Sequence, residues 1–237
     1  EEVTYRSNIG VIDKAGKNIP EYEVVTPEYV KPFTEILRKE GYYCANNFKC
    51  DYQFNSPFTA WDEVSSTVSF RDTPKGKPFF YVWNTLLTHE SRIWERSSKP
   101  LTVDPDEVII PSYFADIPEV RNDIARKYSN IEAMDKKVGE LINQLEQDGL
   151  LDNTIIMFWS DHGGNLLRQK RAVGNSGLNV PLIVRYPDKQ NAGKVDNRIV
   201  SLMDLGPTVL SLLNIEPPVH YDGKAIAGKF EEEARKY

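Results

Sequence analysis

The feature that most constrains the fold is a long helical period that leads directly into an apolar run. Between residues 117 and 147, apolar residues recur in steps of three and four, the spacing of an amphipathic helix. Asp148-Gly149 ends this period, and the run IIMFW (155–159) follows after a short turn. The pattern predicts a long helix that is followed by a buried strand over residues 154–160.

Shorter patterns along the chain agree with an α/β fold. A helix is predicted from Thr26, as its N-cap, to Gly41, with a short strand at 42–44. The runs PFFYVWNTLL (78–87) and VPLIVRYP (180–187) are typical of buried strands. Residues 199–215 are predicted to form a short strand and a helix, and residues 1–25 a loop. The alternation of helices and strands predicts one α/β domain over residues 1–237, with a mainly parallel sheet flanked by helices and no clear internal boundary.

Charge and hydropathy argue against two classes of partner. The net charge of −6 is unlike that of a nucleic-acid-binding domain, which usually has a basic face. The apolar runs are too short to span a bilayer, so no membrane span is expected. The two cysteines, Cys44 and Cys50, match no zinc pattern, and both two free thiols and one short-loop disulfide are compatible with their spacing.

Polar residues follow the predicted strands at their ends. Asp161 and His162, in the word SDHG, follow the strand at 154–160, and His89 follows the run at 78–87. Ligands of parallel sheets bind beyond the carboxyl ends of the strands, so these side chains would face one crevice. A carboxylate and an imidazole suit a divalent cation such as Ca²⁺, Mg²⁺ or Mn²⁺. The four letters alone are equally compatible with a helix cap and an ordinary loop histidine.

Two lysines extend this candidate site. Lys170 lies between two predicted strands in a glycine-containing connection, and Lys49 follows the strand at 42–44. Each lysine by itself is typical of a solvated surface. Combined with His89 and a cation, they would suit a doubly charged oxyanion ester.

Four motifs occur in a fixed order along the chain: FTEILRKEGYY (33–43), MDKKVGELINQLEQDGLLDNTIIMFWSDHG (134–163), KRAVGNSGLNVPLIVRYP (170–187) and VSLMDLGPTVLSLLNIEPP (200–218). In this order they resemble the sulfatase family of the alkaline-phosphatase superfamily over nearly the whole chain. The words NNFKCDYQF and THES are most similar to a branch allied to heparan N-sulfatases. The resemblance implies an alkaline-phosphatase-like α/β fold and hydrolysis of sulfate esters or sulfamates, on sulfated carbohydrate or a small sulfate ester. It also suggests a periplasmic, secreted or lysosomal-type compartment.

The resemblance implies a role for each candidate residue. Asp161 and His162 would coordinate the divalent metal, normally Ca²⁺ in sulfatases. Lys170 would bind the sulfate oxygens, and His89 would hydrogen-bond or protonate the leaving oxygen. Lys49 falls where the family has the lysine of its G-K-x-H word, and Asp51 then stands where a histidine is expected.

Parts of the family's site are not found in this sequence. The word C/S-x-P/A-x-R, whose Cys or Ser becomes the formylglycine nucleophile, does not occur, and neither does the amino-terminal strand with its pair of metal-binding acids. Asp161 and His162 alone are too few for Ca²⁺, which takes about six to eight oxygen ligands. Since the chain also begins with Glu-Glu rather than Met, we interpret it as an amino-terminally truncated sulfatase and expect it to be inactive alone.

Three other interpretations remain open. A phosphoesterase or phosphonate hydrolase of the same superfamily has the same need for a metal and lysines. A non-catalytic module could keep the oxyanion pocket and bind sulfated glycans. A structural fragment without a function of its own is the third.

Overall fold

A computed structural model gives the fold of the chain, and it describes residues 12–18, 25–50, 52, 54 and 56–236. Its helices and strands are α1 (Phe33–Lys39), β1 (Tyr43–Asn46), β2 (Glu63–Val64), β3 (Phe79–Val82), α2 (Arg92–Glu95), α3 (Pro118–Gln147), β4 (Ile156–Trp159), α4 (Asn175–Leu178), β5 (Leu182–Arg185) and α5 (Leu205–Leu212). Short 3₁₀ turns lie at Phe70–Asp72, Leu151–Asn153 and Leu202–Asp204. The chain divides into two compact units, residues 1–84 with 197–237 and residues 85–196. Within the described residues, no helix is long and apolar enough to cross a membrane.

The first unit is built on a three-stranded parallel sheet. β1 lies between β2 and β3, and its Ala45 is paired with Glu63 on one side and with Tyr81 on the other. Helices α1 and α5 supply the core of this unit, in which Leu37 and Leu210 are fully buried together with Cys44 of β1. This parallel sheet with packed helices confirms the predicted α/β class.

Helix α1 begins later than predicted, at Phe33 rather than directly after Thr26. Pro32 occupies the N-cap position in an extended conformation. A proline disfavours the helical conformation in the residue before it, so a helix could not continue from Pro27 through Lys31. The predicted end is correct: Gly41 follows the helix with φ of +91°, a conformation that favours glycine.

The strand β3 is shorter than the apolar run that predicted it. It ends at Val82, and its residues are half-buried rather than buried on both faces. Beyond it, asparagine side chains take over the hydrogen bonds of the ladder. The Asn84 amide donates to Asn46 Oδ1 at 2.8 Å, and the Asn47 side chain accepts a hydrogen bond from the Asn84 backbone N–H. Such side-chain bonds compete with the sheet and end it.

The carboxyl-terminal segment of the first unit is attached to α5 through Asp204. This side chain is 1% exposed and accepts hydrogen bonds from the backbone N–H groups of Ser201 and Lys224 and from Arg235 Nη2, the last at 2.6 Å. Burial alone would raise the pKa of the Asp204 carboxyl, but these hydrogen bonds outweigh it and hold that pKa below its ordinary value. The predicted strand near residue 199 is only an isolated bridge between Ile199 and Arg235.

In the second unit, the predicted long helix is confirmed as α3, which begins at Pro118 and ends at Gln147. Proline suits the first helical position because its missing N–H would have no partner there. At the other end, Gly149 follows with φ of +69° and stops the helix. The chain then enters β4, as the sequence predicts.

The predicted mainly parallel pairing holds for the sheet of the first unit, and the separate pair of β4 with β5 is an exception to it. The two strands are antiparallel, with Ile156 opposite Arg185 and Trp159 opposite Leu182. A parallel pair needs a crossover of a dozen or more residues, usually a helix packed on the sheet. The connection between these strands contains only α4, a helix of four residues, so the chain reverses direction instead.

Candidate active site

His89 and Lys170 lie side by side in the second unit although they are 81 positions apart in the chain. Lys170 Nζ is 3.3 Å from His89 Nε2 and 3.0 Å from Glu90 Oε1. Arg171 Nη2 donates to the same carboxylate oxygen at 3.2 Å. The side chain of Lys170 is 18% exposed and that of Arg171 is 76% exposed, so Lys170 is the inner cation of this cluster.

The neighbours of the His89 ring define its protonation. A lysine ammonium is only a donor, so the contact with Lys170 requires a lone pair on Nε2. The proton of the neutral ring is then on Nδ1, which donates to the Ser91 hydroxyl at 3.1 Å. In the other tautomer Nδ1 would accept from the Ser91 backbone N–H at 3.3 Å, but Nε2–H would then point at the ammonium. Each ring nitrogen thus has a donor beside it, and the contact with Lys170 is made in the tautomer that carries its proton on Nδ1.

The carboxylate of Glu90 balances the charges of this cluster. The hydrogen bond from Lys170 holds the pKa of Glu90 below its ordinary value, and the nearby positive charges act in the same direction against partial desolvation. Glu90 therefore stays ionised. Neither Glu90 nor Arg171 was among the predicted site residues, although the word THES and the Arg next to Lys170 contained the signal.

The turn that carries His89 is attached to α3 and to the loop after β4. Asn165 Nδ2 donates to the Thr88 carbonyl at 3.2 Å. Asn130 of α3 is fully buried, donates to the Arg92 carbonyl at 3.2 Å and accepts from Arg96 Nε at 2.8 Å. α2 begins just after His89 and Glu90 and has no side-chain capping bond of its own. The hydrogen bonds from Asn130 stabilise both of its ends instead.

Asp161 and His162 lie on the turn directly after β4, as predicted. His162 Nδ1 lies 2.7 Å from the Gly163 carbonyl, which can only accept, so this nitrogen carries the proton. The lone pair is then on Nε2, which is 3.7 Å from Asp161 Oδ2. A histidine that ligates a metal typically donates its other N–H to a carbonyl or carboxylate in this way.

These two side chains fit two positions of a divalent cation's coordination shell. Both are accessible, with 64% of the Asp161 side chain and 38% of the His162 side chain exposed. In the part of the chain that the structure describes, no group of three or more His, Cys, Asp or Glu residues could hold a metal ion. A complete site for Ca²⁺ would need further oxygen ligands.

Two glycines connect the turn of Asp161 and His162 to the loop of Lys170. The Gly163 N–H donates to the Gly177 carbonyl at 2.9 Å. A Cβ atom on Gly163 would lie 1.9 Å from the Ser176 carbonyl oxygen, and one on Gly177 would lie 1.9 Å from the Ala172 carbonyl oxygen. Only glycine permits this approach of the two backbones. The main chain thus joins the predicted metal ligands to the segment that supplies Lys170.

Lys49 lies in the first unit, on a tight turn after β1. Phe48 has a φ of +60°, and the Lys49 carbonyl accepts a hydrogen bond from Asn46 Nδ2 at 3.0 Å. The same amide lies 3.1 Å from Cys50 Sγ. Asp51 is outside the described residues. Cys44 and Cys50 are both free, which excludes the disulfide alternative in this structure, and burial raises the pKa of the Cys44 thiol to about 12.

Comparison with known proteins identifies the family. The Sulfatase family profile matches residues 16–215. The chain belongs to the sulfatase family. An ulvan-active sulfatase from Formosa agariphila is 38% identical over 256 residues, which cover 93% of this chain and 43% of that protein. Human N-sulphoglucosamine sulphohydrolase is 30% identical over 144 residues, which cover 56% of this chain and 29% of that enzyme.

A solved structure agrees with the fold. A protein in complex with its substrate D-glucosamine-2-N,6-O-disulfate has a TM-score of 0.59 at 17% identity, with coverage of 85% of this chain and 64% of the other. The predicted sulfatase family and fold class are therefore confirmed. The chain spans less than half the length of the two sulfatase relatives described above.

Proposed function

We propose that the chain is part of a sulfatase that hydrolyses sulfate esters or sulfamates on carbohydrate. The observation that carries this proposal is the contact between Lys170 and the imidazole of His89, with Glu90 bound to the same ammonium. An inner cation beside a titratable ring suits a sulfate monoester, whose terminal oxygens share one negative charge and whose leaving oxygen needs a proton. Membership of the sulfatase family supports the reaction class. Relatives named for ulvan and for N-sulphoglucosamine support a sulfated carbohydrate as substrate.

Lys170 would bind the sulfuryl oxygens in this proposal. An ammonium bound to an oxyanion makes a charge-assisted hydrogen bond, and such preorganised charge is often the largest catalytic contribution. Sulfate would compete with His89 Nε2 for the donors of Lys170. The imidazole, after it takes up a proton from solvent at Nε2, could then donate that proton to the leaving oxygen, a role typically worth about 10²–10⁴-fold in rate. Lys49 is proposed as a second cation for the sulfuryl oxygens, and Asp51 as a further site residue.

Asp161 and His162 are the proposed ligands of the divalent cation, for which Ca²⁺ is the expected ion. When bound, the cation would offset the negative charge of the sulfuryl group. The family's nucleophile, formylglycine, is made from a Cys or Ser in a word that this sequence does not contain. We therefore propose that the residues above bind and orient the sulfated group and that the 237-residue chain alone does not turn over. The proposed compartment is periplasmic, secreted or lysosomal.

Calorimetry on the 237-residue chain tests the proposal. The probes are D-glucosamine-2-N,6-O-disulfate, glucosamine 6-phosphate and glucosamine. We expect saturable binding of the disulfate with a dissociation constant of about 1 mM, which is about −4.1 kcal/mol, and no binding of glucosamine. Lys170→Ala should weaken binding of the disulfate at least about tenfold, or about 1.4 kcal/mol.

The matched control for this experiment is Lys137→Ala, which removes an exposed lysine of α3 that pairs with Glu140. It should leave the affinity unchanged. Equal or tighter binding of the phosphate ester would instead favour a phosphoesterase. Binding that is insensitive to Lys170→Ala would contradict the proposed role of this lysine.

An assay of sulfate release tests the second part of the proposal. Purified chain incubated with the disulfate and Ca²⁺ should release no sulfate above the buffer blank, as measured by ion chromatography. Release that disappears in the Lys170→Ala variant would show that the chain has a nucleophile of its own, and this part of the proposal would be wrong.

A further inference from the structure

We propose that Glu90 is a positioning residue of this site, which directs Lys170 and sets the charge that the His89 ring experiences. The inference rests on the proposed function, in which Lys170 and His89 act on the sulfated group. Glu90 would act through these two side chains and would not itself contact the substrate.

Glu90 and His89 together direct the ammonium of Lys170. A lysine ammonium has three N–H donors. Glu90 Oε1 accepts one of them at 3.0 Å, and His89 Nε2 faces another at 3.3 Å. Two fixed partners also fix the direction of the third donor, which becomes available to a ligand in a defined orientation. Because Glu90 is next to His89 in the chain, one turn positions both partners of Lys170.

Glu90 also supplies the negative charge of this cluster. The cluster contains the Lys170 ammonium, the Glu90 carboxylate and the guanidinium of Arg171. On the side of α3, Lys127 Nζ donates to Oε1 of Gln169, the neighbour of Lys170 in the chain, at 3.0 Å, and burial lowers the pKa of Lys127. Loss of the carboxylate would remove a negative charge beside Lys170 and His89 and leave the cations of the cluster, which would disfavour the protonated form of His89. Glu90 therefore keeps the imidazole able to hold a proton beside Lys170.

Histidine NMR tests this inference without any substrate. The chain has three histidines, His89, His162 and His220, so each ring signal can be assigned by substitution. In Glu90→Gln we expect the titration midpoint of His89 to fall by about one pH unit, the usual scale for loss of an adjacent opposite charge. The midpoint of His220 should stay within about 0.2 unit. Glu90→Asp should recover part of the shift, because it restores the charge at a longer distance.

The matched control is Glu95→Gln. Glu95 lies in the same segment but pairs with Arg92 and not with Lys170, so its loss should leave the midpoint of His89 unchanged. A second variant, Lys170→Gln, should move the midpoint of His89 upward, because it removes the adjacent cation. The inference is overturned if Glu90→Gln leaves His89 unchanged, if Glu95→Gln produces the same fall, or if Lys170→Gln moves the midpoint downward.

Binding of the disulfate separates this inference from the proposed function. If both hold, Glu90→Gln weakens binding about threefold to tenfold, and Glu90→Asp recovers part of the loss. If the wild-type chain binds no disulfate while the midpoint of His89 still falls in Glu90→Gln, the proposed function fails and the positioning role stands. If the disulfate binds but neither its affinity nor the His89 midpoint responds to Glu90→Gln, the positioning role fails alone.

Discussion

Replacing Gly163 by alanine would test whether the turn of Asp161 and His162 depends on close backbone contact with the Lys170 loop. The new Cβ would lie 1.9 Å from the Ser176 carbonyl oxygen and 2.8 Å from Gly177 Cα, whereas ordinary contacts begin near 3.4 Å. The atoms in the way are backbone, so the two segments must separate by about 1.5 Å, the difference between those contact distances.

The cost of Gly163→Ala has two parts. Overpacking of a close contact costs about 1–3 kcal/mol, and loss of the hydrogen bond from Gly163 to Gly177 costs about 0.5–1.5 kcal/mol. We expect a decrease of about 3 kcal/mol in the free energy of unfolding. For a domain of about 150–250 residues, this corresponds to a decrease of about 6–12 °C in Tm, which circular dichroism measures.

The adjacent glycine supplies the control. In Gly164→Ala the new Cβ would meet the ends of the Gln169 and Lys127 side chains, which can move aside. The loss of their mutual hydrogen bond, about 0.5–1.5 kcal/mol, is offset by the gain of about 0.4–1 kcal/mol from reduced chain entropy in the unfolded state. Its Tm should therefore change little. Equal Tm values for the two variants, or a larger decrease for Gly164→Ala, would refute the reasoning.

Three further predictions follow from the structure. Asp204→Asn should lower the free energy of unfolding by about 3 kcal/mol in urea denaturation at pH 7, because it leaves a partly buried Arg235 without its counter-charge. The pKa of Asp204 is held below its ordinary 3.8, so the stability difference between wild type and variant should be complete above pH 3.8 and disappear as the pH falls through the lowered pKa. A stability difference that stays constant down to about pH 2 would contradict this pH dependence. Iodoacetamide should alkylate Cys50 before Cys44, whose thiol is buried and has a pKa of about 12, as followed by peptide mass spectrometry; equal rates in the folded chain would contradict the burial of Cys44, while equal rates in urea are expected. Asn130→Ala should lower the free energy of unfolding by about 2 kcal/mol, because the Arg92 carbonyl and Arg96 lose a buried hydrogen-bond partner. Thermal denaturation measures this loss, and an unchanged Tm would show that α2 is held by other contacts.

The sequence pattern predicted correctly those helix and strand ends that are set by residues in or next to the element itself. The period of α3 and the stop at Gly149 required only helix geometry and the freedom of glycine, and the strand that follows brought Asp161 and His162 to its end. The start of α1 was wrong because the N-cap signal at Thr26 was weighed without the effect of Pro32, which directly precedes the first residue of the helix.

The remainder of the site depends on contacts that no local pattern contains. Lys170 meets Glu90 across 80 positions, and Gly163 meets Gly177 through main-chain atoms whose approach is set by the fold. The antiparallel direction of β5 relative to β4 could not be predicted for a similar reason, since the apolar run at 180–187 has the same composition in a parallel or an antiparallel pair. Residue type predicted His89 and Lys170 as candidates, but only the folded chain shows that they are in contact and which carboxylate balances the charge.

A crystal structure of the chain with D-glucosamine-2-N,6-O-disulfate and Ca²⁺ is the most direct test of the central claim, that Lys170 and His89 act on a sulfated group. We expect a sulfate oxygen within about 3 Å of Lys170 Nζ, with His89 Nε2 facing the oxygen or nitrogen that links the sulfate to the sugar. A sugar bound with its sulfate groups away from Lys170, while the contacts of Lys170 with His89 and Glu90 remain as described, would contradict it.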